Sequence, residues 1–189
     1  MQINLLWTGR EYYSLENCLV NITPAGGEIN STIVGLYEGN IYKVSYTIKT
    51  NEHWQTIFLA IDSQQNNKTD HTQLEGDGNG NWLYNGKKAE QYNGCIDIDI
   101  PLTPFTNTLP IRRLALHQNE SSEIHVIYCD ILAEQITPVC QKYTRISDAA
   151  YHYENVPNDF EATIQVDEFG LVVDYPQLFV RTSALITWY

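Results

Sequence analysis

Residues 31–50 read STIVGLYEGNIYKVSYTIKT, and the alternation within them decides the fold class. Tyr42, Val44, Tyr46 and Ile48 fall on one side of an extended chain, with Lys43, Ser45, Thr47 and Lys49 on the other. A period of two means a strand with one face in a core and the other in water. Glu38-Gly39-Asn40 divides the stretch into two such runs, because Gly and Asn accept the positive φ that a tight turn requires.

The same signature recurs on both sides. WQTIFLAID (54–62) is more continuously apolar and predicts a strand nearer the sheet centre. Asn85-Gly86, between Trp82-Leu83-Tyr84 and Lys87-Lys88, is a hairpin signal. SEIHVIYCDIL (122–132) alternates, as does FEATIQVDEFGLVVDYP (160–176), where Ala162, Ile164 and Val166 share a face before a turn over 167–170. Only SDAAYHYEN (147–155), with Ser147 as its cap, predicts two helical turns. No segment is long enough for a helical crossover between parallel strands. The expected architecture is mainly β: a strongly curved antiparallel sheet forming a half-barrel or barrel, with one or two short helices. No repeat, linker or low-complexity tract divides the chain, so residues 1–189 read as a single domain.

Charge excludes two classes of partner. The chain has 11 Lys and Arg against 23 Asp and Glu, a net charge of −12. Nucleic acids and anionic membrane surfaces are held by neutralising phosphate with basic residues, so neither is expected as a partner. No apolar run is long enough to span a membrane. The start, MQINLLWTGREYY, lacks the basic and apolar segments of a signal peptide, which predicts a cytoplasmic protein with reduced thiols. Cys18, Cys95, Cys129 and Cys140 form no CxxC pair, so no zinc site is expected. Asp77-Gly78-Asn79-Gly80 lacks the far glutamate and ligand spacing of a calcium loop. No metal and no cofactor are called for, and the pattern carries no signal of oligomeric state.

The compositionally odd stretch is IDIDIPLTPFTNTLPIRRL, residues 96–114. With Ile96, Ile98 and Ile100 facing a core, Asp97 and Asp99 share a stripe about 7 Å apart along a strand. Residues 111–117 also read as extended, and because both of their faces carry apolar side chains, Arg112 or Arg113 must emerge from apolar surroundings. A buried guanidinium stays charged and is tolerable only with an acidic or carbonyl partner. Two roles compete: an ion pair with Asp97 or Asp99 between neighbouring strands, or a cationic clamp at a cavity mouth for an anionic or hydroxyl-rich head group. Thr106 and Asn107, in the stiff loop between Pro104 and Pro110, either tie that loop internally or point at a ligand.

These residues, with the upstream DGNGNW and the downstream YTRI and VDEFGLVVDYPQLFVR, resemble the glycolipid-binding family of bacterial proteins of about this length. The resemblance runs in the same order over nearly the whole chain. It implies a β half-barrel similar to that of bacterial envelope lipoprotein carriers, and it adds Trp82, Tyr143 and Arg181 as candidate positions. It implies no catalytic residue. The expected function is a non-enzymatic binder of a lipid or glycolipid in an apolar cavity. The competing readings are a structural or protein-interaction module with a filled core, and a hydrolase using Asp97, Asp99 or His117. GxSxG, HExxH and P-loop patterns are all missing.

Overall fold

The computed structural model describes residues 1–189. The chain begins with four long strands, β1 (Gln2–Gly9), β2 (Ser14–Thr23), β3 (Gly26–Tyr37) and β4 (Asn40–Thr50). Next come β5 (Thr56–Gln65), β6 (Lys68–Gly76) and the short hairpin β7 (Trp82–Tyr84) and β8 (Lys87–Lys88). A short strand β9 (Asp97–Asp99) leads to the helix α1 (Thr108–Leu114). The last third forms β10 (Ser121–Asp130), β11 (Gln135–Ser147), β12 (Ala150–Val156), β13 (Glu161–Val166), β14 (Val172–Tyr175) and β15 (Phe179–Thr187).

All fifteen strands form one sheet, in the order β8-β7-β6-β5-β4-β3-β2-β1-β15-β14-β13-β12-β11-β10-β9. Its centre is β1, which pairs with β2 and with the C-terminal β15. The edges are β8 and β9, so the sheet is curved but not closed into a barrel. The chain between the edges spans the gap. Gly94 N–H donates to Gly80 O at 2.9 Å, and the Trp82 indole N–H donates to Cys95 O at 2.8 Å. Gly80 has φ +84°, and a Cβ there would lie 3.0 Å from the Gly94 backbone, so this crossing requires glycine. Asp77 shapes the approach to it. Its carboxylate accepts from the Asn79 and Asn81 backbone N–H groups and from the Asn81 amide, which keeps its pKa below the usual range.

The hairpin of residues 31–50 forms as its alternation predicts. Tyr42, Val44, Tyr46 and Ile48 are buried, Lys43 and Lys49 are exposed, and Glu38 and Gly39 turn the chain with φ of 48° and 79°. Asn85-Gly86 turns β7 into β8 in the same way, with φ of 48° and 75°. WQTIFLAID lies fourth from an edge instead of near the centre. Its outward Phe58 is half-buried beneath the Lys49 ammonium, 5.9 Å from the ring, which explains the extra apolar residues.

Two segments differ from expectation. Residues 147–155 are not helical: Tyr151 and Tyr153 point inward as part of β12, and that two-residue period prevails. Ser147 does cap, but it caps a turn, its Oγ accepting from Ala149 N–H at 3.3 Å. Residues 108–114 are helical, whereas 111–117 were expected to be extended. The preceding Phe105–Asn107 turn starts the coil, and Phe105 and Leu109, four apart, enter the core together while Ile111 and Leu116 join a second apolar cluster. Pro110 lies in the first helical turn, where its missing N–H costs nothing. Ala115, left-handed at φ 45°, ends the helix. The β9–β10 pair is parallel, the single departure from an antiparallel ladder. No helix is long and apolar enough to cross a membrane.

Candidate functional site

The Pro-Thr loop is tied internally and builds a floor between β9 and β11. Thr103 Oγ1 accepts from Phe105 N–H at 3.0 Å and donates to Glu16 Oε1 at 2.9 Å. Thr106 Oγ1 donates to Asp99 Oδ1 at 2.8 Å, while Gln141 Nε2, from β11, donates to Asp99 Oδ2 at 2.7 Å. Asn107 gives its amide to Pro104 O at 3.2 Å and receives the Tyr143 hydroxyl at 2.9 Å. Each of these polar side chains is fixed by a partner, as a buried polar group must be.

Above this floor lies a cavity of about 480 Å³. Asp99, Thr103, Asn107 and Gln141 line its base, and Tyr12, Tyr128, Tyr153, Phe160, Tyr175 and Phe179 form its walls. Five of these rings make a continuous series. Tyr12–Phe179 centroids are 6.4 Å apart, Phe179–Tyr175 6.4 Å, Tyr175–Phe160 6.3 Å and Phe160–Tyr153 6.1 Å. All four spacings suit offset or tilted aromatic packing. Glu11 and Asp159, both exposed, stand on the rim.

The electrostatics are one-sided. Burial raises the Asp99 carboxyl above its ordinary value, and the hydrogen bonds from Thr106 and Gln141 offset this only in part. Burial also pushes the phenols of Tyr12, Tyr128, Tyr153 and Tyr175 well upward, reinforced by neighbouring acids, so all four keep their protons at neutral pH. Behind the floor, burial lifts Glu16 to about 7, with the Ser31, Tyr46 and Thr103 hydroxyls pulling it back. Those three hydroxyls all donate to Oε1, and Oε2 has no partner.

The arginines do not serve this cavity. Arg113 grips Asp97 with Nε 3.1 Å from each oxygen and a second nitrogen 2.6 Å from Oδ2. Asp97 is fully buried, and the Arg113 side chain is 18% exposed. The expected ion pair therefore exists, but it joins a helix to a strand instead of two strands. Arg112 meets neither aspartate of the IDIDI run. It stacks 4.0 Å over the Trp54 ring and donates to Phe169 O at 2.8 Å. The cationic clamp at the cavity mouth is thus overturned: neither guanidinium lines the cavity. Arg181 pairs with Asp167, whose other oxygen accepts from the Phe169 and Leu171 N–H groups, and Trp82 straps the sheet gap.

Of the sequence candidates, Asp99 and Asn107 line the cavity, with Thr106 and Tyr143 holding them in place. The 13 tyrosines suit half-wet surfaces such as cavity rims, but sequence reasoning named none of the wall residues and missed Gln141 and Glu16. Glu16 was findable, since it shares a strand face with Cys18 and Val20, both buried. The wall was not, because its six rings come from six separate strands and turns. The sheet's flank also gathers His152, Glu154 and Glu161, with ligand-type atoms within 4.8 Å of one another. Lys142 Nζ already lies 2.9 Å from Glu154 and the Asn158 amide 3.0 Å from Glu161. That leaves a salt-bridged cluster instead of a vacant coordination sphere.

The comparisons with known proteins agree with this architecture. Residues 4–181 match the family model described as “Putative glycolipid-binding”. A DUF1089 family protein from Pseudomonas aeruginosa, known from its crystal structure, is 32% identical, with a TM-score of 0.79 over 88% of this chain and 91% of that one. A β-barrel-like DUF1849 protein from Brucella abortus has a TM-score of 0.51 over 97% of this chain and 95% of its own. At 8% identity the latter shares the fold alone. No curated protein matches the chain in sequence.

Proposed function

The chain belongs to this glycolipid-binding family, and on that premise we propose that it is a non-enzymatic binding protein that holds a lipid or glycolipid in the tyrosine-walled cavity. The observation that carries the reading is the cavity itself: about 480 Å³ of space, aromatic on its walls and polar on its floor. This lies within the roughly 300–1,000 Å³ of small-molecule sites. Aromatic faces suit stacking on sugar rings and packing of alkyl chain, and each methylene withdrawn from water contributes about 0.8 kcal/mol. Asp99, Asn107 and Gln141 supply hydrogen-bonding groups for hydroxyls. The site is amphipathic, with its polar groups on the floor instead of at the mouth of an apolar cavity.

The same geometry argues against the two competing readings. A filled-core structural module would pack this space with its own side chains. A hydrolase using the aspartate pair would need Asp97 at the cavity, and Asp97 is instead closed off by Arg113. Native mass spectrometry of the purified protein, then titration with an amphiphile panel followed by tyrosine and tryptophan fluorescence, tests the proposal. Tyr153→Ala is expected to weaken binding at least about tenfold, through loss of a buried aromatic contact. Failure of every amphiphile to bind would overturn it.

A further inference from the structure

We propose that the ligand's polar end carries a positive charge, as a primary or quaternary ammonium, received by Asp99 and the faces of the surrounding tyrosines. This deepens the binding reading above and rests on it. Three carboxylates line the cavity, those of Glu11, Asp99 and Asp159, and no lysine, arginine or histidine does. An anionic head group would meet only like charge there.

Asp99 stands out among the inward-facing aspartates, and unlike the equally unpaired Glu16 it lines the cavity. Asp97 is neutralised by Arg113 and Asp167 by Arg181, whereas Asp99 has no basic side chain within ion-pair distance. Each of its oxygens receives one side-chain hydrogen bond, from Thr106 and from Gln141, and the Ile100 backbone N–H adds a further donor. A carboxylate has about four acceptor positions, so Asp99 retains acceptor capacity on its cavity side. The Thr106 and Gln141 bonds fix the carboxyl group in orientation without cancelling its charge.

The walls fit a cation as well. The face of an aromatic ring is negative and attracts ammonium groups within about 6 Å of its centroid, most strongly when water is excluded. Tyr153, Phe160 and Tyr175 enclose one corner, with centroid separations of 6.1, 6.3 and 6.3 Å. Tyr175 is only 5% exposed, lines the cavity, and its hydroxyl makes no hydrogen bond within the protein. That oxygen is free to accept from the N–H of a primary ammonium, while a quaternary one, which has no N–H, is held by charge and by the ring faces alone. Aromatic faces around an unneutralised carboxylate form a receptor for an organic cation. Neutral sugars would use the rings and amides but leave the carboxylate charge unanswered.

The test compares three probes with one tail, decyltrimethylammonium, decyl β-glucoside and decanoate, each titrated below its micelle concentration. The trimethylammonium probe is expected to bind about tenfold or more tighter than the glucoside, with decanoate weakest. Asp99→Asn is expected to bring the ammonium affinity down toward that of the glucoside. Adsorption to the acidic surface at large would not respond to a change of net charge from −12 to −11. Should Asp99→Asn fail to fold, Glu11→Gln and Asp159→Asn on the exposed rim are expected to lower the ammonium preference by a few-fold. A glucoside that equals or exceeds the ammonium probe, or an ammonium preference untouched by these variants, overturns the inference while the binding reading stands. Binding of none of the three overturns both.

Discussion

Arg113→Ala is the perturbation whose outcome the structure fixes most tightly. The substitution removes all three hydrogen bonds on Asp97 and leaves a carboxylate with no exposed surface and no other polar partner. Removing one partner of a buried ion pair costs about 3–5 kcal/mol. Protonation sets the ceiling. Raising a carboxyl from about 3.9 to 7 costs about 4 kcal/mol at 1.36 kcal/mol per pH unit, and beyond that the group takes up a proton. In a domain of this size each kcal/mol lowers Tm by about 2–4 °C, so a loss of about 3–4 kcal/mol at pH 7 corresponds to roughly 6–16 °C. The pH dependence has a defined sign. Burial already raises Asp97, Arg113 opposes that rise, and the variant lifts it further. A raised carboxyl binds its proton more tightly in the folded state, so the penalty grows as pH climbs above the unfolded value and fades on acidification. Calorimetric melts at pH 7 and pH 4.5 read both effects, and Arg113→Met with Asp97→Leu is expected to recover most of the loss. A variant melting within two or so degrees of the parent at pH 7, or with an equal deficit at both pH values, refutes the reasoning.

Glu16, lifted from 4.5 to about 7, favours the folded state most below pH 4.5 and loses roughly 3 kcal/mol of that advantage as pH rises to 7. Urea titrations at pH 5 and 8 should show this slope flattened in Glu16→Gln. Arg112→Ala surrenders the Trp54 stack and one bond to a carbonyl, and is expected to cost about 1–3 kcal/mol, less than Arg113→Ala and without its pH dependence. Trp82→Phe keeps the ring but loses the bond to Cys95 O across the sheet gap, and should cost about 1–2 kcal/mol in thermal melts.

Much of the scaffold was legible because strand alternation is a local property. Tyr42 to Ile48 announce their inward face, and Glu38-Gly39 and Asn85-Gly86 announce their turns, without help from the rest of the chain. Legibility failed where a local rule met a tertiary one. Residues 111–114 alternate poorly because they are helical, and the turn that starts the helix depends on Thr103 and Asn107 bonding within a folded loop. Arg113 was foreseeable as a buried cation in need of an acid. That Arg112 would find Trp54 was not, since Trp54 lies more than fifty residues away and nothing in either neighbourhood names the other. The cavity was least legible of all, because its rings are ordinary tyrosines and phenylalanines of strands and turns until the sheet curves and brings six elements together.

The inward acids fall into two groups, those matched with arginine and those held by neutral donors. Asp97 and Asp167 carry arginines, and each arginine ties a strand or turn to a different element. Glu16 and Asp99 carry only hydroxyl and amide donors. A guanidinium partner locks a carboxylate in place and spends its charge, which suits a structural joint. Neutral donors hold a carboxylate in place without cancelling its charge, at a cost in folding stability because no cation offsets the burial that raises Asp99 and Glu16. Thr103 connects the two, lining the cavity on one side and donating to Glu16 on the other. A protein selected for stability alone has no reason to leave Asp99 unpaired beside a 480 Å³ cavity when its other inward aspartates are matched with arginine. The cost is intelligible if the charge is kept for something that enters from solvent.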